Sequence, residues 1–403
     1  MISIGEALAI IEENRPEPTL GRRALLDAHG RRLAEDIRAP EASPRYTNSA
    51  MDGYAVRWLD ICDVQAGQPA VLSIAGESQA GIPFTGQVGA GQAVRISTGA
   101  MLPAGCDTVV RVEDTENGGK EVRILRVRES GQDVRRMGEE FQVGDLLLVR
   151  GTVLQAPHLA LLAGVGIGEV LVVQPPQVAV VVTGTELVGP GQEAAPHQIR
   201  DSNSLLLTAA VLQVGGDVTA TLRAADSLEE TTAAIREASE GAGIILVSGG
   251  VSVGPHDHVK EAAAGCGFSE LFWRVQQKPG KPLFVARKED RLLFGLPGNP
   301  VSAFMCFMYY VQPVLRSLEG RDFSWRTVRA PLTGAIRNSS KRTNFYRVRM
   351  EKGAQGLRAE LLGKQGSHML GSIAGADGFI IVDPGGAYAP GDLETVYLFP
   401  GRK

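Results

Sequence analysis

The sequence predicts a multidomain α/β protein: a parallel-sheet α/β domain, a helical and extended scaffold, a small inserted β-rich domain and a C-terminal β-barrel. Three observations point there. Between residues 176 and 325, short apolar runs rich in Val, Ile and Leu alternate with capped helical stretches, as in a sheet covered on both faces. From 56 to 144, and again beyond 326, short β-rich runs are separated only by Gly- and Pro-containing turns. A chain of 403 residues also exceeds what one ordinary core organises, so two to four domains are expected.

In chain order, residues 1–40 read as helical, with Ile4, Leu8 and Ile11 on one face, a Pro-rich break at 15–18 and a second helical piece around Leu25. Together with 145–175 they form the scaffold. SPRYTNSAMDGYAVR, 43–57, has loop composition, and on its residues alone Asp52-Gly53 is a turn. AVRIST, DTVVRV and KEVRILRV supply strands of the small β-rich domain, 41–144. A helix at 156–163 then leads to VLVV and to Pro175-Pro176, the expected boundary of the α/β domain, 176–325.

Inside that domain VAVVV is a strand, DSNS caps a helix running through Leu212, and DVTATLR is a strand. Asp226 or Ser227 caps the next helix, which carries Glu229 and Glu230 in its first turn. IILV, 244–247, is a strand buried on both faces. Ser248, Gly249 and Gly250 make the turn after it, and Pro255 suits the first turn of the following helix. LFWRVQQ, the loop KPGKP, the strands LFVA and LLFGL, the turn PGNP and an apolar helix over 301–318 complete the domain, and regular alternation implies a parallel sheet. NFYRVRM, LRAELL, GFIIV and TVYLF build the C-terminal barrel, 326–403.

Composition excludes several classes. Hydrophobic residues at 44% and charged residues at 21% describe a soluble globular protein, and a net charge of -4 gives no global field for nucleic acid or an anionic membrane. Cys62, Cys106, Cys266 and Cys306 lack Cys-x-x-Cys spacing, which argues against a disulfide framework or thiolate zinc site and for buried thiols in a reducing cytosol. The N-terminus reads as an acidic amphipathic helix and no run is long enough to span a bilayer, so a cytoplasmic location is expected. His256 and His258 stand two apart, unlike the i, i+4 pair of a helical zinc site. No Gly-x-Gly-x-x-Gly follows VAVVV and no Gly-Lys-Ser/Thr occurs, so dinucleotide and P-loop readings lack their fingerprints.

Chemistry is expected at the carboxyl ends of the parallel strands, where TGTEL, SGGVSVG and PGNP gather polar, Gly-rich loops. Backbone N–H groups at Ser248, Gly249 and Gly250 suit an anion, the competing reading being a crossover that needs Gly only for packing. Glu186, Asp226 and Asp257 face the same mouth, and carboxylates beside a phosphate suit a hard cation such as Mg²⁺, which takes one or two of them plus phosphate oxygens. Each has a plain alternative: a helix cap for Asp226, a helix-dipole position in the first turn for Asp257, a solvated loop acid for Glu186. Lys278 and Lys281 set two ammonium groups on a stiffened loop, fit for an oxyanion or phosphate or else a surface turn.

NSAMDGYAVR, ISTGAMLPAGCDTVV, VVTGTEL, SGGVSVG, KPGKP, GLPGNPVSAF and QGSH, in this order, closely resemble the MoeA-type molybdopterin molybdenumtransferases, the family of the gephyrin E domain, over nearly the full length. The resemblance implies a homodimer of elongated four-domain subunits that uses adenylylated molybdopterin and molybdate as substrates, releases AMP and requires Mg²⁺. A molybdopterin adenylyltransferase and apo-molybdoenzymes are the further partners implied. It implies catalytic roles for Asp52, Glu140, Glu186, Asp226 and Asp257, the last three as metal ligands. Substrate contacts fall to Thr98, Ser248, Gly249, Gly250, Arg274, Lys278, Lys281, Pro297, Pro300, Arg342 and Ser367. Asp52 and Thr98 come from the small β-rich domain. Three positions depart from the family pattern: Glu140 stands where an aspartate is common, Arg274 where lysine is, and Thr185 removes an acid. The competing functions are the related adenylyltransferase step and a gephyrin-like scaffold.

Overall fold

The structure is a computed structural model that describes residues 1–252, 254, 257–353 and 356–401. The chain forms two compact units, Met1–Gly21 with Val173–Lys403, and Arg22–Val172.

The first unit is centred on a six-stranded sheet in the order Asp217–Ala224, Gln177–Thr183, Ile244–Ser248, Arg291–Leu296, Phe284–Lys288, Ser269–Trp273. The first four strands are parallel. Alternate residues of the central strands feed opposite cores. Val178, Val180 and Val182 pack with Leu207 and Val211 of the helix Asn203–Gln213 and with the helix beginning at Pro300, whereas Ala179 and Val181 pack with Ile235, Val259 and Ala262 of the helices Leu228–Gly241 and Val259–Gly265. Helices on both faces explain why these strands read as unbroken apolar runs.

The all-parallel expectation is corrected at one edge: Phe284–Lys288 and Ser269–Trp273 run antiparallel to their neighbours. Only Glu289 and Asp290 separate Phe284–Lys288 from Arg291–Leu296, with Glu289 at φ 51, and so short a link makes a hairpin whereas a parallel pair needs a long crossover. A second correction concerns Asp257. The helix begins at Val259 with His258 at its cap, so Asp257 precedes the helix and does not sit in its first turn. Val253, Pro255 and His256 lie outside the described residues, and with them the expected opening of the helix at Pro255 and the comparison of His256 with His258. The expected apolar helix over 301–318 is present, Pro300–Cys306 and Gln312–Leu318, with a π-helical turn, Phe307–Val311, just ahead of Pro313.

The C-terminal strands form a second sheet, ordered Gln277–Lys278, Thr343–Gly353, Gly378–Val382, Leu393–Leu398, Thr327–Pro331, with Gly356–Leu361 also on Thr343–Gly353. Gln277 and Lys278 pair in parallel with Thr343 and Asn344, so the loop Lys278 begins is anchored to this sheet. Stacked Phe379–Tyr397 and Tyr309–Trp325 pairs seal the sheet against the π-containing helix.

In the unit Arg22–Val172 a six-stranded sheet runs Thr108–Arg111, Gly53–Val56, Gln92–Ile96, Ala70–Ser78, Glu121–Ile124, Thr115–Asn117. Here MDGYAVR is not a loop: Gly53–Val56 is a buried strand with partners on both sides. A Cβ on Gly53 would lie 2.0 Å from Val110 O, so Gly53 permits a close strand approach and does not mark a turn. The helical piece expected around Leu25 is absent as well. A strand, Leu20–Ala24, is followed by turns, since Leu26 is exposed and Ala28 alone of this segment is buried, leaving no apolar helix face. The helix Ala156–Gly164 forms as expected. All four cysteines are free, Cys306 buried and the other three half-buried. No helix among the described residues is long and apolar enough to cross a membrane.

Candidate active site

A cavity of about 660 Å³ opens at the carboxyl ends of Gln177–Thr183, Ile244–Ser248 and Arg291–Leu296, where the three polar loops converge. Its floor is tied together by Asn203. The side-chain amide donates to Ser248 Oγ at 2.8 Å and to Gly298 O at 2.7 Å, and Ser248 Oγ in turn donates to Pro297 O at 3.3 Å. One residue therefore fixes the ends of two strands against a helix start. Gly249 has φ 101, and a Cβ there would fall 2.6 Å from Thr183 Oγ1. Packing alone thus forbids a side chain on this turn, and the same feature leaves its backbone bare to a ligand. Pro300 opens the helix after the PGNP turn, and Pro297 and Pro300 both line the cavity.

Glu186, Asp226 and Asp257 line this cavity as expected. Asp226 is free of capping duty: Ser227 is the N-cap and accepts from Glu230 N–H at 3.2 Å. Asp226 Oδ2 instead accepts from Thr185 N–H at 3.0 Å, and Asp257 Oδ2 accepts from Gly254 N–H. Each of these two carboxylates keeps its other oxygen free of protein donors among the described residues. The described residues contain no group of three His, Cys, Asp or Glu placed to hold an ion by protein ligands alone. One or two carboxylates completed by phosphate oxygens is the arrangement this donor set fits, and it is the one a hard, reluctantly dehydrated cation accepts.

A second cavity, about 640 Å³, adjoins the first, since Pro282 and His368 line both. Lys278, Lys281, Arg342 and Ser367 meet here. Gln277 positions the lysine loop. Fully buried, it accepts from Tyr310 O–H and donates to Gly280 O at 3.2 Å and to Cys306 Sγ at 3.4 Å. Its carbonyl also accepts from Arg342 Nη1 at 3.3 Å. Burial pushes the Cys306 thiol up to about 12, which suits a packing partner and not a nucleophile. Ser367 sits between the cavities: its carbonyl accepts from Val301 N–H at 3.2 Å and its hydroxyl from Asn299 Nδ2 at 3.4 Å.

Arg347 was not among the expected site residues. Its side chain is wholly buried and reaches the carbonyls of Lys364 and Gly366 through Nη2 at 3.5 and 3.4 Å, while Nε and Nη1 have no partner among the described residues. Burial brings its pKa down to about 10. It lines neither cavity and is a desolvated charge beneath the loop that carries Ser367. The sequence held a signal for it: in NFYRVRM Arg347 shares a strand face with Phe345, which packs in the main core, and an arginine on such a face demands an explanation. Asn203 was read as part of a capping segment only.

Arg274 lines neither cavity. It has φ 71 and its guanidinium carbon lies 3.9 Å over the Trp273 ring, while Trp273 Nε1 donates to Val251 O at 3.0 Å. In the other unit Asp52 Oδ1 accepts from Thr98 N–H at 2.7 Å and from Thr98 Oγ1 at 3.1 Å, so these two form a pair. Glu140 is held separately, accepting from Ser43 Oγ at 2.7 Å.

Family models match almost all of the chain: the MoeA N-terminal region (domain I and II) over residues 2–166, a probable molybdopterin binding domain over 179–317 and the MoeA C-terminal region (domain IV) over 329–399. The chain is 34% identical to a molybdopterin molybdenumtransferase of Haemophilus influenzae over 99% of both chains. It is 34% identical to one of Bacillus subtilis over 93% of this chain and 89% of that protein. A solved molybdopterin biosynthesis MoeA protein of Pyrococcus horikoshii superposes with TM-score 0.84 at 31% identity, covering 100% of both chains.

Proposed function

The chain belongs to the MoeA family of molybdopterin molybdenumtransferases, and from that premise we propose that it inserts molybdenum from molybdate into adenylylated molybdopterin, forming the molybdenum cofactor and AMP. The observation that carries this reading is the pair of adjoining cavities. One offers a bare glycine turn and three carboxylates; the other offers Lys278, Lys281 and Ser367 above the buried Arg347. A phosphoanhydride-linked pterin and a small oxyanion need such different surroundings.

In this mechanism the backbone of Ser248, Gly249 and Gly250 receives the phosphate chain, and Asp257, with Glu186 or Asp226, orients it. Mg²⁺ bound by those carboxylates supplies charge neutralisation at the phosphoanhydride. Lys278 and Lys281 hold molybdate as fixed cations, and the Ser367 hydroxyl donates to one of its oxygens. The two dithiolene sulfurs replace two oxygens of molybdate, which leave as water with the thiol protons and two protons from solvent, and one water cleaves the phosphoanhydride to release AMP. Pro297, Pro300 and Arg342 shape the two cavities. Asp52, Thr98, Glu140 and Arg274 remain site residues in this reading by family resemblance.

The same reading makes the protein a cytoplasmic homodimer that receives substrate from a molybdopterin adenylyltransferase and serves apo-molybdoenzymes. Its residues 1–40 with 145–175 form a scaffold domain and 41–144 an inserted β-rich domain; 176–325 form the α/β domain and 326–403 a barrel. The adenylyltransferase alternative is not favoured, because the relatives matched over their full length carry the transferase's name. The test is to incubate the purified protein with adenylylated molybdopterin, Mg²⁺ and molybdate and to add the product to a cofactor-free molybdoenzyme. Activation that depends on molybdate supports the transferase. Conversion of ATP and free molybdopterin to the adenylylated form, without activation, supports the adenylyltransferase.

A further inference from the structure

Two buried oxygens on the α/β cavity have no partner among the described residues. Thr183 is 8% exposed and Asn203 7%, both line the cavity, and Thr183 Oγ1 and Asn203 Oδ1 are each left unbonded. Buried side-chain oxygens are nearly always paired, so two on one cavity floor mark a place where a ligand completes the bonding.

The chemistry of the missing partner can be read from Asn203. Both of its committed bonds come from Nδ2, to Ser248 Oγ and Gly298 O, which fixes the amide so that its free atom is the acceptor Oδ1. An acceptor cannot pair with phosphate oxygens, which are acceptors themselves; it requires an N–H, an O–H or a cation, and the carboxylates of this cavity are the stronger seat for a cation. The Thr183 hydroxyl can donate or accept. Beside it, at the Gly249–Gly250 turn, a Cβ would come 2.6 Å from Thr183 Oγ1 at the first glycine and 3.2 Å at the second. The floor therefore differs in character from the carboxylate wall. It suits the edge of a heterocycle that carries ring N–H or amino groups beside a carbonyl or ring nitrogen.

Resting on the functional reading above, we propose that Thr183 and Asn203 are specificity-determining residues whose free oxygens bind the N–H-bearing edge of the pterin ring. The phosphate chain is left to the glycine turn and the carboxylates. The family model described as a probable molybdopterin binding domain spans nearly the whole cavity, which supports a pterin-bearing ligand there, and the AMP arm below separates the pterin from the adenine.

The experiment measures binding of molybdopterin and, separately, of AMP to the full-length protein under anaerobic conditions. Thr183→Val keeps the side-chain shape and removes a hydroxyl unpaired among the described residues, so the ligand-free melting temperature stays level or rises. Its Kd for molybdopterin increases about tenfold, the worth of one buried hydrogen bond, while its Kd for AMP stays within about twofold. Thr183→Ser restores molybdopterin binding. Asn203→Ala also loses the bonds to Ser248 and Gly298 and melts lower, but it weakens molybdopterin by a larger factor than AMP.

Wild-type molybdopterin affinity in Thr183→Val overturns the proposal, as does an equal loss for AMP in either Thr183→Val or Asn203→Ala. Wild-type protein that binds no molybdopterin overturns the functional reading itself, and this assignment with it.

Discussion

Asp226 and Thr185 clasp each other through their backbones: Thr185 N–H donates to Asp226 Oδ2 at 3.0 Å, and Asp226 N–H donates to Thr185 Oγ1 at 3.1 Å. The hydroxyl at 185 thus accepts from Asp226 N–H, as an acid there could, without adding a second negative charge to the cavity. Thr185→Val removes that acceptor and should lower the unfolding free energy by about 1 kcal/mol, the usual net worth of such a bond. Thr185→Asp keeps an acceptor and should retain stability, and by adding a negative charge beside Asp226 it should lower the Mg²⁺ concentration needed for half-maximal activity. Urea unfolding of the three proteins checks the first point; a Thr185→Val variant as stable as wild type would show the clasp to be inert.

Arg347 is a buried, under-paired cation that should weigh against the fold. Its folded pKa, about 10, lies below the ordinary guanidinium value, so the unfolded chain binds the proton more tightly and the buried charge disfavours the fold at neutral pH. Stability would rise only as pH passes upward through that folded value. Arg347→Met, which fills similar volume without charge, should therefore unfold at the same or higher denaturant concentration, while KM for molybdate stays within about twofold because the side chain lines neither cavity. Clear destabilisation in urea would contradict this account of the buried charge.

Gln277 joins the π-helical turn to the lysine loop. Gln277→Leu strands the buried Tyr310 hydroxyl and should cost about 2 kcal/mol of stability, whereas the Gly280 carbonyl keeps its bond from Leu283 N–H. Because Lys278 and Lys281 flank Gly280, the variant should also use molybdate poorly while its affinity for the pterin substrate changes little. Steady-state kinetics with each substrate varied in turn separates the two effects.

In the unit Arg22–Val172 a pH-dependent element supports the strand after Asp52. Arg111, which pairs with Gly53 in the sheet, forms a two-pronged bond to Asp133 at 2.9 and 2.8 Å, and Arg128 adds a contact at 2.6 Å. The hydrogen bond from Arg111 is the main cause holding the Asp133 carboxyl below its ordinary value, against the opposing effect of burial. A lowered folded pKa contributes stability that is fully present above the ordinary carboxylate range and is lost as pH falls through the folded value. Asp133→Asn should therefore destabilise the protein at pH 7, with the gap from wild type closing below about pH 4, where carboxylates protonate in the unfolded chain. A gap that persists unchanged to pH 3 would locate the effect elsewhere.

Much of this could be read along the chain because periodicity and local turn chemistry act over a few residues. The strands at 177–183 and 244–248, the caps and the three strand-end loops each follow from such short-range rules. What escaped depends on partners distant in sequence. Gly53 looks like a turn until Val110 is laid beside it, and Phe284–Lys288 looks like one more parallel strand until the two-residue link to Arg291 is counted. Asn203 looks like a helix start until Ser248 and Gly298 come within its reach. Asp257 lines the cavity to which its strand-end loop points, and the competing helix-dipole reading falls because the residue precedes its helix.

The most direct test of the central claim follows AMP release and molybdenum incorporation together, with adenylylated molybdopterin and Mg²⁺, as molybdate is raised from zero. The two-cavity account predicts that both rise together with molybdate and saturate at the same concentration, because anhydride cleavage and metal transfer share one site. AMP released at full rate without molybdate, and no molybdenum bound to the pterin product, would contradict it.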